Sequence, residues 1–208
     1  GRFDGLLALD DENVSFNANG RVDFNGKVPV FNLTAHLNHF LPYNLHLTDS
    51  RQGHEYGMKM KARFSGNHID NIDGQLLIDS LTVIAPNECY FMDSLCIRAE
   101  KLNGRRKQLA VKGDFVDVVL DGEFAYTLLP VSFKRIVGKY FPSLIPENGT
   151  VSYSRNNFTF SLHLADSDFY PLVLGIPLSL SPDLTLQGYV DDKNGLMKIN
   201  GYSPMIVY

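Results

Sequence analysis

A regular alternation of apolar and polar side chains constrains the fold of this chain more than any other feature of its sequence. Between Val14 and Phe24 (VSFNANGRVDF), apolar or small residues occupy every second position, and polar or charged residues lie between them. Successive side chains of a β-strand point to opposite faces, so this pattern predicts a strand with one dry face and one face in water. The same alternation recurs in residues 31–38, 56–64, 95–100, 109–115, 116–126, 158–164, 184–190 and 197–199.

The order and length of these runs predict the fold class. Turn sequences such as Asn25-Gly26, Asn103-Gly104 and DDKNG (191–195) separate neighbouring runs, which favours hairpins between consecutive strands. Several runs exceed the usual strand length of about five or six residues. We therefore predict an all-β fold with about ten to twelve strands in a long, curved antiparallel meander, not a compact sandwich. We expect one β-groove domain, residues 1–208, that is an internal or C-terminal fragment of a longer chain.

Two local features bear on the continuity of the strands. The alternation changes parity between Phe115 and Val116, which predicts a bulge or kink at this step. Cys89 and Cys96 are the only cysteines, and their odd offset would place them on opposite faces of a continuous strand, about 23 Å apart. We therefore predict free thiols, and a disulfide stays open as an alternative only if the strand breaks at residues 93–94.

One segment has helical instead of strand periodicity. In LLPVSFKRIVGKYFPSLIP (128–146), Phe133, Ile136, Val137 and Tyr140 follow the i, i+3, i+4, i+7 spacing of one helix face. This spacing predicts one amphipathic helix near 130–141, within an insertion at about 128–145, before a second group of strands at 148–208. We expect these four residues to form a groove-capping helix face.

Charge and motifs argue against several functions. The formal net charge of -4 and the isoelectric point of about 5.8 argue against a nucleic-acid-binding protein. The sequence contains no Ser-His-Asp order, no Gly-rich phosphate loop and no CxxC pair. HIDNIDG (68–74) offers polar side chains for a loose calcium site, but it lacks the length of an EF-hand loop, and a polar turn explains it better. We therefore predict no enzymatic activity, no metal site and no cofactor.

The dry face of such a meander needs a covering layer. Domains are built from packed layers of secondary structure, and only one helix is predicted here. Either the sheet folds over on itself, or its apolar face stays open as a trough.

Repeated units of a polar turn and a long alternating strand carry a resemblance to a known family. These units are residues 6–39 and 69–86, a strand-then-helix unit at 122–146, and a further unit at 181–202. In them the chain resembles the TamB family, the long periplasmic part of the bacterial translocation and assembly module within the AsmA-like group. The resemblance implies a β-taco, or repeating β-groove, that is apolar inside and polar outside.

The same resemblance implies a location and a function. It implies a periplasmic bridge, anchored in the inner membrane as a full-length protein, that works with an Omp85-type outer-membrane barrel. The apolar groove would hold lipid acyl chains or nascent outer-membrane protein strands, so the expected partners are phospholipid or unfolded outer-membrane polypeptide, and no nucleic acid. Eleven residues are predicted to line the groove, and for each the alternative is ordinary core packing: Phe16, Phe24, Leu33, Leu37, Met58, Met60, Phe64, Val111, Phe115, Phe160 and Leu162.

Two other functions remain as alternatives. A secreted or surface β-sandwich that binds a protein or glycan would have a closed core and aromatic residues exposed on one rim. An enzyme on a β-scaffold ranks last, because no acid–base constellation fits the strand parity. Co-purifying phospholipid would separate the bridge from the sandwich.

Overall fold

Strands dominate the structure. The computed structural model describes residues 1–49, 52–132, 156–174, 179–181, 183–202 and 206–207. The strands within these residues are β1 Arg2–Asp10, β2 Val14–Asp23, β3 Val30–Phe40, β4 Glu55–Ser65, β5 Asp73–Ile84, β6 Cys89–Met92, β7 Leu95–Lys101, β8 Lys107–Gly113, β9 Val116–Glu123, β10 Asn157–Leu164, β11 Ser179–Leu180, β12 Leu184–Asp191, β13 Leu196–Tyr202 and β14 Ile206–Val207. Short 3-10 turns lie at Ile69–Asn71 and Tyr126–Leu128, and a π-helical turn lies at Tyr170–Leu174.

Twelve of these strands form one open antiparallel sheet. Its order is β1-β2-β3-β4-β5-β7-β8-β9-β10-β12-β13, with β6 paired to β5 beside β7, and β11 and β14 form a separate two-stranded sheet. The prediction of an all-β, curved antiparallel meander is confirmed. β9 pairs directly with β10, so the strands before and after the predicted helical insertion belong to the same sheet.

The register places the apolar residues of neighbouring strands on one face. Directly opposed residues of an antiparallel pair share a face. From β2 to β12, one row across the sheet contains Gly20, Leu33, Ala62, Leu76, Ile97, Val111, Val118, Leu162 and Leu186. The adjacent row contains Asn19, Thr34, Lys61, Leu77, Cys96, Lys112, Asp117, His163 and Thr185. We call the face of the first row the apolar face and that of the second the polar face.

A bulge in β5 keeps the apolar side chains from both halves of this strand on the apolar face. Met58 of β4 pairs with Leu81, and Met60 pairs with Ile78, so the register shifts between these two pairs. Ile78 and Leu81 are three positions apart and would point to opposite faces of a regular strand. The extra residue of the bulge brings both side chains to the apolar face.

The parity change at Phe115 is a hairpin, so the predicted bulge is wrong. β8 ends at Gly113 and β9 begins at Val116, and these two residues pair. Asp114 and Phe115 are the two loop residues between them. Because Gly113 and Val116 share a face although their numbers differ in parity, the hairpin itself reverses the alternation.

The two cysteines are free, as predicted, but they do not lie on opposite faces of a continuous strand. The strand is broken between β6 and β7, and Cys89 pairs with Ile84 while Cys96 pairs with Leu77. Both thiols therefore lie on the polar face, and the expected placement on opposite faces is wrong. Their partners are seven positions apart on β5, which separates the two cysteines by about 23 Å and rules out a disulfide.

The predicted helix starts at its expected position. Helical geometry begins at Leu129, directly after the 3-10 turn Tyr126–Leu128, and is described as far as Ser132. The four predicted capping residues, Phe133, Ile136, Val137 and Tyr140, lie outside the described residues.

A first core covers one end of the apolar face. Its buried residues are Leu81, Val83, Met92, Phe115, Tyr170 and Leu180. The Phe115 and Phe169 rings stack at 4.4 Å, and the Tyr170 hydroxyl donates a hydrogen bond of 2.9 Å to the carbonyl of Ala165. Tyr56 of β4 and Leu164 of β10 both pack against this core. In a flat sheet these strands would lie about 24 Å apart, so the sheet curls toward its apolar side.

A second core covers the other end of the apolar face. Its buried residues are Leu120, Phe124, Leu129, Phe158 and Val190, which join the first helical turn to β9, β10 and β12. Buried polar groups fix the same junction. The Ser132 hydroxyl donates to the Asp192 carboxylate at 2.5 Å and accepts from the Asn156 amide at 2.7 Å. All three side chains are almost fully buried, so they anchor the helix start to the sheet.

Candidate functional site

An apolar cavity of about 530 Å³ lies on the apolar face between the two cores. Its floor is formed by side chains from five neighbouring strands. These side chains are Leu33 of β3, Met60, Ala62 and Phe64 of β4, Leu76 of β5, Ile97 and Ala99 of β7, and Leu109 of β8. The volume falls within the range of about 300–1,000 Å³ that is typical of small-ligand pockets.

Two loop segments form the cover of the cavity. Ile69 and Ile72 reach it from the 3-10 turn between β4 and β5, and Tyr126 reaches it from the turn that precedes the helix. None of these three residues was among the predicted lining residues, because the pattern of 68–74 indicates a polar turn and that of 116–126 makes Tyr126 the end of a strand. The signal was present in the spacing of Ile69 and Ile72, since residues three apart lie on the same side of a 3-10 turn.

The turn that carries Ile69 and Ile72 is held by its own polar side chains. The Asn71 carboxamide oxygen accepts hydrogen bonds of 3.0 Å from the backbone amides of Asn67 and His68. The His68 ring accepts a bond of 3.1 Å from the amide of Asp70. The polar residues of this segment therefore close a reciprocal cap, and its isoleucines are free to face the sheet.

Asp70 connects the two covering segments. Its carboxylate accepts hydrogen bonds from the Thr127 amide (3.0 Å) and from the Thr127 hydroxyl (2.7 Å). Partial burial raises the pKa of Asp70, but the two bonds from Thr127 and the nearby Lys107 ammonium outweigh it and hold the pKa below its usual value. The ionised form of Asp70 therefore fastens the cover over the cavity.

Lys107 and Tyr126 close the side of the same cover. The Lys107 ammonium donates to the backbone carbonyl of Asp70 and lies 4.7 Å from the centroid of the Tyr126 ring. Burial lowers the pKa of Lys107, although the Asp70 carboxylate opposes this shift. Burial also raises the pKa of the Tyr126 phenol, whose buried oxygen has no hydrogen-bond partner among the residues that the structure describes. A buried hydroxyl without a partner is costly, so a ligand atom that accepted a hydrogen bond from the Tyr126 hydroxyl would stabilise the site.

Nine of the eleven predicted lining residues lie on the apolar face. Phe16, Leu37 and Met58 share one row, Met60 follows in the next, Leu33, Val111 and Leu162 share a third, and Phe64 and Phe160 lie in a fourth. Of these, Leu33, Met60 and Phe64 contact the cavity. Phe24 lies beyond the end of β2 and is 56% exposed. Phe115 sits in a hairpin turn and is buried in the first core, so these two residues do not lie on the strands that form the face.

The apolar face is open to water near β1. Phe3, Leu7 and Leu9 of this strand belong to the apolar face through their pairs with β2, and they are 64%, 61% and 45% exposed. A monomeric soluble protein seldom exposes a continuous patch of this kind without a function. The trough therefore has a covered middle and an open flank.

The polar face carries ion pairs. Asp4 contacts Arg21 at 2.6 Å, Lys61 contacts Asp79 at 2.6 Å, and Arg106 pairs with Asp121. Such exposed pairs contribute little stability. Within the described ranges, no three His, Cys, Asp or Glu side chains converge on a metal position.

Comparison with known proteins finds no match for this chain. No protein-family model, no curated protein and no solved structure matches the chain. Among the residues described here, none of the helices is long and apolar enough to cross a membrane.

Proposed function

We propose that this chain is a segment of a TamB-like, AsmA-type periplasmic bridge whose trough holds lipid acyl chains. The observation that carries the proposal is the cavity on the apolar face, which is lined by side chains from five strands and covered by two loop segments. In this proposal the full-length protein is anchored in the inner membrane and meets an Omp85-type outer-membrane barrel. The trough then contributes to lipid transport or to outer-membrane assembly without any catalytic step.

The chemistry of the cavity favours an acyl chain over a polypeptide strand. An extended polypeptide brings an amide and a carbonyl at each residue, and each needs a partner when buried. The backbone groups of the central strands beneath the cavity are already used in the sheet ladders. Aliphatic side chains instead match methylene groups, and each buried methylene contributes about 0.8 kcal/mol before the cost of association.

The arrangement of layers favours the trough over a β-sandwich. A sandwich would pack two extended sheets face to face. The described residues instead form one twelve-stranded sheet, whose apolar face is covered by short segments and is exposed at β1.

Native mass spectrometry tests the proposal. The chain is purified from a Gram-negative host, the bound mass is measured, and an organic extract is analysed for phospholipid. We expect bound phospholipid in the wild type, and loss of it in Leu33→Asp, because a carboxylate in the cavity would lie against aliphatic side chains. The matched control is Thr34→Asp, which adds the same charge to the polar face one residue away.

A second variant guards against misfolding of Leu33→Asp. Ala62→Phe fills the cavity with carbon and adds no charge, since Ala62 is a buried residue of its floor. Binding of a fluorescent fatty acid should weaken in this variant and stay unchanged in Thr34→Asp. If the wild type carries no lipid and binds the fatty acid no better than Ala62→Phe, the proposal is wrong. If it binds an unfolded outer-membrane peptide instead, the cargo is polypeptide.

A further inference from the structure

A second cavity, of about 340 Å³, lies on the polar face, on the opposite side of the sheet from the apolar cavity. It crosses the four strands β3, β4, β5 and β6, and Gly57 of β4 lies in its floor. Gly57 pairs with Thr82 and Thr82 pairs with Phe91, so these three residues form one row across the polar face. We call this cavity the polar-face notch.

The fold itself does not require a glycine at position 57. Its φ lies outside the left-handed region, and an added Cβ would lie 3.4 Å from the nearest atom, the carbonyl oxygen of Asn38, which is ordinary van der Waals contact. At the other glycines of the described strands an added Cβ would lie within 3.0 Å of another atom; these are Gly5, Gly20, Gly74, Gly113, Gly122, Gly188 and Gly201. A strand glycine often marks a place where a ligand approaches the sheet closely. Gly57 therefore keeps the floor of the notch open.

One wall of the notch is apolar although it lies on the polar face. Phe91 is 59% exposed and Ile84 is 46% exposed, and both side chains line the notch. Neither of them belongs to the two cores of the described residues, so packing within this part of the chain does not explain them. An aromatic ring at the side of a concave surface offers a contact for the apolar face of a ligand.

Polar side chains surround the rest of the notch. Four of them are uncharged or weakly basic groups from β3 and β5, namely His36, Asn38, Ser80 and Thr82. Glu55 and Lys59 lie on the polar face of β4, two positions to either side of Gly57. Neither forms an ion pair with any residue that the structure describes. The notch thus offers a carboxylate that accepts hydrogen bonds and an ammonium that donates them.

We propose that the polar-face notch binds a neutral pyranose ring of a glycan. A pyranose ring has an apolar face of C–H groups and a rim of hydroxyls, and each hydroxyl both donates and accepts hydrogen bonds. Phe91 and Ile84 contact the C–H face, the Glu55 carboxylate accepts from one hydroxyl, and the Lys59 ammonium donates to another. The volume of about 340 Å³ lies at the lower end of the range for small-ligand pockets, which suits a sugar ring.

The charges of the notch favour a neutral ligand over a zwitterion. Glu55 and Lys59 are four positions apart, which separates their Cα atoms by about 13 Å along the strand. The two charges of an α-amino acid or of phosphoethanolamine lie much closer together, so they match these separated side chains poorly. A ligand with a single charge is attracted by one of the two groups and repelled by the other. The hydroxyls of a neutral sugar meet both groups at separate points of its rim.

An array of neutral oligosaccharides of glucose, galactose, mannose and N-acetylglucosamine tests the proposal, followed by NMR titration with a glycan that binds. Phe91→Ala should weaken binding about tenfold, because it removes the aromatic wall. Gly57→Val should abolish binding, because its side chain fills the floor, and the strand has room for its Cβ. The matched control is Ser161→Val, which adds the same side chain to an exposed position on the polar face of β10 and should bind as the wild type.

The outcomes separate this site from the apolar cavity. A chain that binds none of these glycans overturns the proposal, and so does binding that Phe91→Ala and Gly57→Val leave unchanged. Tighter binding of phosphoethanolamine than of any sugar overturns it as well. Gly57→Val should still bind the fluorescent fatty acid, because the notch and the cavity lie on opposite faces. A chain that binds glycan but no lipid overturns only the proposed function, and a chain that binds lipid but no glycan overturns only the sugar site.

Discussion

Removal of the Asp70 carboxylate should loosen the cover of the cavity. Asp70→Ala deletes the acceptor of both Thr127 hydrogen bonds, which are 3.0 and 2.7 Å long. Hydrogen bonds to a charged group contribute about 1.5–3 kcal/mol each when they are well buried. The Asp70 side chain is 26% exposed, so water replaces part of the loss. Loss of a helix-capping side chain costs about 0.5–2 kcal/mol, and we expect about 1–2 kcal/mol here.

The effect should depend on pH in a defined direction. The pKa of Asp70 is lowered in the folded protein, so its stabilisation is complete above the pKa of the unfolded chain. It is lost as the pH falls through the lowered folded value. The difference between wild type and Asp70→Ala should therefore be constant above about pH 5 and shrink in more acidic solution.

Urea unfolding followed by circular dichroism measures this difference, since the chain contains no tryptophan. Asp93→Ala is a suitable control, because Asp93 is an exposed residue between β6 and β7. It should change the unfolding free energy by less than about 0.5 kcal/mol. A loss for Asp70→Ala no larger than that of the control, or a loss that grows on acidification, would refute the role assigned to Asp70.

Three further predictions concern the sheet and its cores. Gly74→Ala should destabilise the fold by about 2–4 kcal/mol in urea titration, because Gly74 has a φ of 147° and an added Cβ would lie 2.2 Å from the carbonyl oxygen of Arg63. The control Gly104→Ala lies in an open turn and should cost about 1 kcal/mol in the same titration. Phe158→Ala should cost about 3–5 kcal/mol by chemical denaturation, since Phe158 is 1% exposed in the second core, whereas Phe91→Ala, at a 59% exposed position, should have a small effect. Burial raises the pKa of Tyr170 to about 12, so ultraviolet titration should show a late-ionising component that Tyr170→Phe removes. The stabilisation from Tyr170 should be present below about pH 10 and lost as the pH rises toward 12, and a Tyr170→Phe variant that leaves the titration curve unchanged would contradict this.

Sequence and structure agree where a local pattern sufficed. Alternation identified the strands, and it placed residues such as Leu33, Met60 and Phe160 on a common face, because strand geometry has a fixed period of two. It failed at Phe115, where a two-residue hairpin reverses parity. It also failed at Cys96, where a break in the strand does the same. Parity is a local property of a strand. It does not reveal which residues lie in a turn or a strand break and therefore do not pair with a neighbouring strand.

Sequence patterns reached only part of the cover of the cavity. The spacing of Ile69 and Ile72 places both on one side of a turn, but nothing in the sequence shows that they meet Tyr126, because that contact forms only when the sheet curls. Asp70 and Thr127 are 57 positions apart in the chain, so their hydrogen bond depends on the path of the strands between them.

The sequence by itself determined that this chain forms long two-faced strands that pair in order, since alternation and turn residues act over a few positions. Only the tertiary structure decided how the apolar face is used. The curl of the sheet, the bulge in β5 and the two covering segments set which parts of that face form packed cores, a cavity or an open flank. These features depend on contacts between residues far apart in the chain. Such contacts stabilise the protein only when the whole sheet has formed.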